Sequence, residues 1–279
     1  MIRNSLRVIA LISVVALSGG SPSAVTARQQ RTLTENFRIH KNFRSKFLSK
    51  ERDVVVWLPP GYDADKEKRY PVLYMHDGPS VFVNWRLDEI AETLIASKEI
   101  EPLIIVGVAN GGTEDDRFNE FTPTRVNSKG GNADQYGRML IEELKPVIDS
   151  EYRTLTDSAH TAVAGSSLGG LASLYLGIKY PETFGKVAAM SPSVWWDNKV
   201  IIRNVKSLQS KPTVRIWLDI GTEEGPTGII KELRDALVAK GWKLDADLIY
   251  FEAKGARHTE QAWSERSGQV LRYLFPSKP

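Results

Sequence analysis

From residue 53 onward, short uninterrupted apolar runs alternate with stretches whose apolar positions recur at helical spacing. "DVVVWLPPGY" (53–62) predicts a strand stopped by prolines, and "YPVLYMHDG" (70–78) a buried strand running into a turn. "RLDEIAETLIASKE" (86–99) predicts a helix and "PLIIVGVANGG" (102–112) another buried strand. "DQYGRMLIEELKPVIDSEY" (134–152) predicts a long amphipathic helix kinked at Pro146. "TAVAG" (161–165) reads as a strand and "LGGLASLYLGIKY" (168–180) as a helix. Three more strands are predicted at 185–193, 213–221 and 244–255, and helices at 198–208, 227–240 and 259–274. Continuously apolar strands alternating with helices imply an α/β fold, a mostly parallel sheet covered by helices on both faces. No linker divides the pattern, so residues 28–279 are expected to form one domain.

The first 27 residues differ. "MIRNSLR" carries Arg3 and Arg7 and no acid, "VIALISVVAL" (8–17) is apolar but too short to span a bilayer, and small residues follow, with Val25 and Ala27 suited to a cleavage site. The expectation is a signal peptide over 1–27 and a periplasmic or secreted product, with no membrane anchor after cleavage. Removing it takes two arginines and lowers the formal net charge from +3 to +1. Near-neutrality argues against nucleic acid as a partner. Cysteine is absent, which excludes disulfides, thiolate metal sites, a lipidated cysteine and a cysteine nucleophile.

Candidate chemistry concentrates in "AGSSLGG", residues 164–170. Gly165-Ser166-Ser167-Leu168-Gly169 is a G-x-S-x-G pattern between a predicted strand and a predicted helix, the setting of a nucleophile elbow. There the nucleophile is held in a strained backbone, and the residues two before and two after it must be glycine-sized. That selects Ser167. For Ser166 the flanking positions are Ala164 and Leu168, and leucine would clash. The amide of Leu168, at the helix start, is a candidate oxyanion donor.

A serine hydroxyl needs a base. Of four histidines (His40, His76, His160, His258) only His258 follows Ser167, as the α/β-hydrolase order serine, acid, histidine requires. The acid is expected in "GTEEG" (221–225), after the strand 213–221. Glu224 is favoured over Glu223 because it suits the turn, Asp219 lies inside the strand, and Asp197 is a weaker candidate. A second oxyanion donor is expected after "YPVLYMHDG". Pro79 has no N–H, so Gly78 is preferred, with Asp77 or Ser80 as alternatives. His76 and Asp77 lack the companions of a metal site and are read as bracing that loop, so neither metal nor cofactor is expected.

The stretches "LYMHDGPSVF", "GGTEDDRFNEFTPT", "AGSSLGGLASLYLGIKYPETFGKVAAMSPSVWW", "LDIGTEEG" and "HTEQAW" together resemble the esterase D and enterochelin esterase-like group of α/β-hydrolases, from about residue 35 to 275. The resemblance implies an α/β-hydrolase fold and a serine carboxylic-ester hydrolase, with Ser167, His258 and Glu224 in the triad positions. Family members often carry glutamine where this chain has Pro79. Some siderophore esterases of the group work with a serine–histidine pair alone.

Only residues 194–212 separate two predicted strands where many α/β-hydrolases insert a lid, so no large lid is expected. An open cleft suits a bulky ester, such as a siderophore or a feruloyl or acetyl group on a carbohydrate. Trp195 and Trp196 are candidate stacking surfaces for a sugar or aromatic acyl group. Arg117 and Glu120 are read as an ion pair bracing a loop beside the cleft. Two rival functions use the same chain: acyl transfer to a sugar alcohol, and non-catalytic binding of glycans or siderophores.

Overall fold

The computed structural model describes residues 36–277. The signal-peptide reading over 1–27 falls outside them. Ten strands are present: β1 (Phe37–Phe43), β2 (Arg52–Trp57), β3 (Val72–His76), β4 (Ile104–Val108), β5 (Arg125–Val126), β6 (Lys129–Gly130), β7 (Thr161–Ser166), β8 (Lys186–Met190), β9 (Arg215–Gly221) and β10 (Leu248–Ala253). Eight of them form one sheet in the order β1-β2-β4-β3-β7-β8-β9-β10, while β5 and β6 pair as a small hairpin. β2 runs antiparallel to both β1 and β4, and every pair from β4 to β10 is parallel. The expected mostly parallel sheet is therefore present.

Strand residues feed two cores by alternation. Val54 and Val56 of β2 join one apolar cluster, and Val55 and Trp57 the cluster on the opposite face. Val72 and Tyr74 of β3 are likewise separated from Leu73 and Met75. With both faces covered, these strands read as unbroken apolar runs, which is why the pattern marked them. Each such Val, Leu or Ile contributes roughly 1.5–3 kcal/mol by leaving water.

Nine α-helices are described: α1 (Ser80–Val83), α2 (Leu87–Ala96), α3 (Glu114–Phe121), α4 (Ala133–Arg138), α5 (Lys145–Glu151), α6 (Leu168–Lys179), α7 (Trp196–Ser207), α8 (Gly228–Lys240) and α9 (Glu260–Leu274). The long helix expected at 134–152 is α4 and α5 joined by a π-helical turn, Met139–Leu144, in which the Lys145 N–H donates to Leu140 O. Pro146 follows directly, and without an N–H it is accommodated in the first turn of α5. Besides the short α1 and the β5–β6 hairpin, two elements lie outside the sequence pattern. One is the edge strand β1; the other is α3, which opens on a reciprocal capping box between Thr113 and Asp116. Between β8 and β9 the chain holds only α7 and its flanks, so no large lid is inserted at that connection.

Candidate active site

Ser167 is the last residue before α6, immediately after β7. Its backbone stands at φ 57, ψ −120, a conformation side-chain-bearing residues rarely adopt. Contact requires glycine at 165 and leaves little room at 169. A Cβ at Gly165 would lie 2.9 Å from the carbonyl carbon of Gly169, and one at Gly169 would lie 3.3 Å from Cβ of His76. The turn is tied across to β8 and its following loop. The Ser167 N–H donates to Met190 O at 2.9 Å, and the Ser193 N–H donates to Ser167 O at 3.0 Å. Ser167 Oγ lies 3.4 Å from Ser193 Oγ. The Leu168 amide opens α6, where no preceding turn offers it a carbonyl.

His258 reaches the same region from the loop between β10 and α9. Its Nδ1 lies 2.7 Å from Oε2 of Glu224. The Glu224 side chain is 4% exposed, against 46% for the imidazole. Burial pushes the Glu224 carboxyl upward. Hydrogen bonds from His258, the Ser191 hydroxyl and the Gly221 N–H outweigh it and leave the group below its ordinary value. An ionised carboxylate only accepts, so Nδ1 donates, and the lone pair of a neutral ring is on Nε2. Glu223 is exposed on the same loop.

Residues that the sequence did not single out surround this pair. The Ser191 hydroxyl donates to Glu224 Oε1 at 2.7 Å and accepts from Arg266 at 2.6 Å and from the Trp263 indole at 3.1 Å. Arg266 also reaches Asp219 at 2.9 Å and Glu224 Oε1 at 3.5 Å, and its side chain is 3% exposed. Asp219 is fully buried, as its place inside β9 suggested, and accepts from the Trp217 indole at 2.7 Å. The Trp263 ring stands perpendicular to that of His258, with centroids 4.8 Å apart. Trp263 and Arg266 sit three residues apart on α9 and so project from one face of it.

Ser167 and His258 both line one cleft of about 450 Å³. Asp77, Ser80, Trp85 and Trp263 are also on its wall. Gly78 lies in the turn between Asp77 and Ser80 at φ +38, and a Cβ there would fall 2.5 Å from Ala109 N, so the position demands glycine. His76 is buried and its Nδ1 lies 2.9 Å from the Tyr136 hydroxyl. Asp77 is clamped by Arg117, whose Nε and a terminal nitrogen each donate at 2.8 Å, while Asn110 adds a third donor. Arg117 also donates to Ser166 O at 3.4 Å, linking the turn after β3 to the elbow.

Two expectations are corrected. Arg117 does not pair with Glu120. Glu120 turns the other way and forms a buried pair with Arg52 at 2.7 Å, while Arg117 takes Asp77. Trp196 is not a stacking surface. It is 5% exposed, its indole donates to Thr124 O at 3.0 Å, and it packs against Phe118 and Gly130. Trp195 is 57% exposed, with its ring perpendicular to that of Trp196, and it is not among the residues lining the cleft. Asp197, the weaker acid candidate, pairs with Arg203.

The chain matches the family described as "Putative esterase" over residues 45–266. It is 27% identical over 252 residues to the uncharacterized protein YbbA of Bacillus subtilis (strain 168), covering 84% of this chain and 97% of that one. It is 30% identical over 244 residues to an endo-1,4-beta-xylanase/feruloyl esterase of Xylanibacter ruminicola, covering 84% of this chain and only 30% of that longer protein. Its fold superposes with a TM-score of 0.73 on the enterobactin esterase FES of Shigella flexneri, solved in the presence of enterobactin. There the identity is 21%, and the match covers 85% of this chain and 58% of that one. Eight-stranded sheet, elbow and match extending over most of the chain agree: the protein is an α/β-hydrolase-type carboxylic ester hydrolase and belongs to the esterase family that includes the siderophore esterases.

Proposed function

We propose that the protein is an exported serine esterase that cleaves a bulky ester through Ser167, His258 and Glu224. The observation that carries this reading is the 2.7 Å contact from Glu224 to His258 Nδ1, with the same imidazole on the cleft that holds Ser167. Nε2 takes the Oγ proton as Ser167 attacks the ester carbonyl, and the carbon becomes tetrahedral. The amides of Leu168 and Gly78 hold the developing oxyanion. Collapse expels the alcohol, which takes the proton from Nε2 and leaves an acyl group on Ser167. Water then enters, loses a proton to Nε2 and attacks the acyl carbon, and collapse releases the acid while Ser167 Oγ takes the proton back from Nε2. Glu224 keeps the ring in the productive tautomer and stabilises the imidazolium.

The feruloyl esterase relative and the enterobactin esterase neighbour suggest an aryl ester of a sugar or a catecholate siderophore as substrate class. Export rests on the basic and apolar pattern of residues 1–27. Among the described residues no helix is long and apolar enough to cross a membrane.

The test is labelling with a fluorophosphonate together with hydrolysis of nitrophenyl acetate, butyrate and ferulate esters. The wild-type protein is expected to label and to turn over at least one ester. Ser167→Ala should abolish labelling and lower kcat by about 10³-fold or more. Labelling that survives in Ser167→Ala would overturn the assignment.

A further inference from the structure

We infer that Glu260 makes this cleft selective for uncharged, hydroxyl-bearing esters and discriminates against anionic ones. The inference rests on the esterase reading above. Glu260 opens α9, two residues after His258, and its side chain is on the cleft wall. The Ser80 hydroxyl donates to its Oε1, and the Asn84 amide donates to both oxygens at 2.9 and 2.8 Å. Both donors are neutral. They fix the carboxylate in place without cancelling its charge.

The Glu260 charge is only partly offset: Arg117 senses it, but after Asp77 and Glu114. The one cationic lysine or arginine among the described residues lining the cleft is Arg117, and its guanidinium is taken up by the two oxygens of Asp77. Behind His258, Arg266 is shared between two carboxylates, Asp219 and Glu224. Arg257, next to His258 in the chain, is exposed and is not on the cleft wall. An ester entering between Ser167 and Ser80 therefore meets a net negative field. Of the two substrate classes proposed above, this favours the aryl ester of a sugar: a carboxylated ester, or a catecholate complex that carries negative charge, is repelled, whereas a neutral ester is not. A carboxylate has about four lone-pair sites, and Glu260 uses three in these contacts, so a sugar or phenol hydroxyl can donate to the remaining one.

The experiment compares kcat/KM for two matched pairs of esters. In the first, p-nitrophenyl butyrate is set against the p-nitrophenyl hemiester of glutaric acid, which is anionic on the acyl side. In the second, phenyl acetate is set against 4-acetoxybenzoate, which is anionic on the alcohol side. In Glu260→Gln the anionic-to-neutral ratio should rise by about fivefold for at least one pair, as removal of one unit charge at close range implies. In the wild-type protein the same ratio should rise between about 20 mM and about 300 mM salt as screening weakens the repulsion. The salt response stands as a test even if the variant fails to fold. Ratios indifferent to both the substitution and salt, with neutral esters still hydrolysed, would overturn the selectivity. A wild-type protein that hydrolyses none of the four esters would overturn the esterase reading and this inference with it.

Discussion

Glu224 and His258, 34 residues apart in the chain, meet with Oε2 and Nδ1 2.7 Å apart, and only the histidine is open to solvent. The carboxylate is fixed from behind by the Ser191 hydroxyl and the Gly221 N–H, at 2.7 and 2.8 Å. One end of the pair is thus immobilised in the protein while the other faces the cleft, an arrangement suited to holding an imidazole in one tautomer.

Glu224→Gln presents an amide N–H to Nδ1 and so favours the wrong tautomer. Its kcat on a nitrophenyl ester should fall by about 10²- to 10⁴-fold with KM changed far less. Glu223→Gln, on the exposed side of the same loop, should stay within about twofold of wild type. Steady-state kinetics of the two variants decide between them. A larger loss at position 223 would move the acid there.

Arg266 is the one cation between two buried carboxylates, Asp219 and Glu224. Arg266→Met should cost about 3–5 kcal/mol in urea denaturation, because it strands uncompensated charge. Burial already raises the Asp219 carboxyl, and the Arg266 guanidinium is the chief opposing influence. Adding Asp219→Asn to Arg266→Met should restore part of the loss. A single variant within about 1 kcal/mol of wild type would show that the arginine does not hold this network.

His76 is buried, and desolvation lowers its imidazole from 6.5 to about 4, with Asp77 opposing and Arg117 reinforcing the shift. Between those two values the unfolded chain binds a proton that the folded chain refuses. Its contribution is complete above about pH 6.5 and disappears as the pH falls toward 4, a loss of about 3 kcal/mol. Urea denaturation at pH 7 and near pH 4.5 should show a smaller acid loss in His76→Gln than in wild type. Parallel losses in the two proteins would contradict it.

What the sequence made legible is local or ordered along the chain. The elbow is encoded within five residues, because the strained serine dictates the glycines on either side. Chain order left His258 as the one histidine after Ser167, and a short loop offered two acids, of which Glu224 is the one that meets the ring. The supporting groups were hidden by distance. Arg266 meets Ser191 and Asp219 across 75 and 47 residues, and on α9 it reads as an ordinary polar position of an amphipathic helix. Arg117 and Glu120 stand three residues apart on α3 and looked like partners, but each finds a tighter one across the fold. β1 escaped notice because an exposed edge strand, "FRIHKNF", carries lysine and arginine where β3, β4 and β7 carry none. The doublet of tryptophans could not declare which ring was buried, since that depends on Thr124 and Phe118 more than 70 residues earlier.

Glu260 follows His258 by two residues, Trp263 and Arg266 follow it at intervals of three on a single helix, and each faces the same small region. The imidazole paired to Glu224, the ring packed against it, the arginine behind it and the cleft's acidic wall are therefore one cassette of nine consecutive residues, 258–266. Grafting this chemistry onto a sister scaffold, or breeding new substrate preferences into it, would mean transplanting or diversifying that cassette whole. A swap ending between His258 and Arg266 would leave the imidazole standing among strangers.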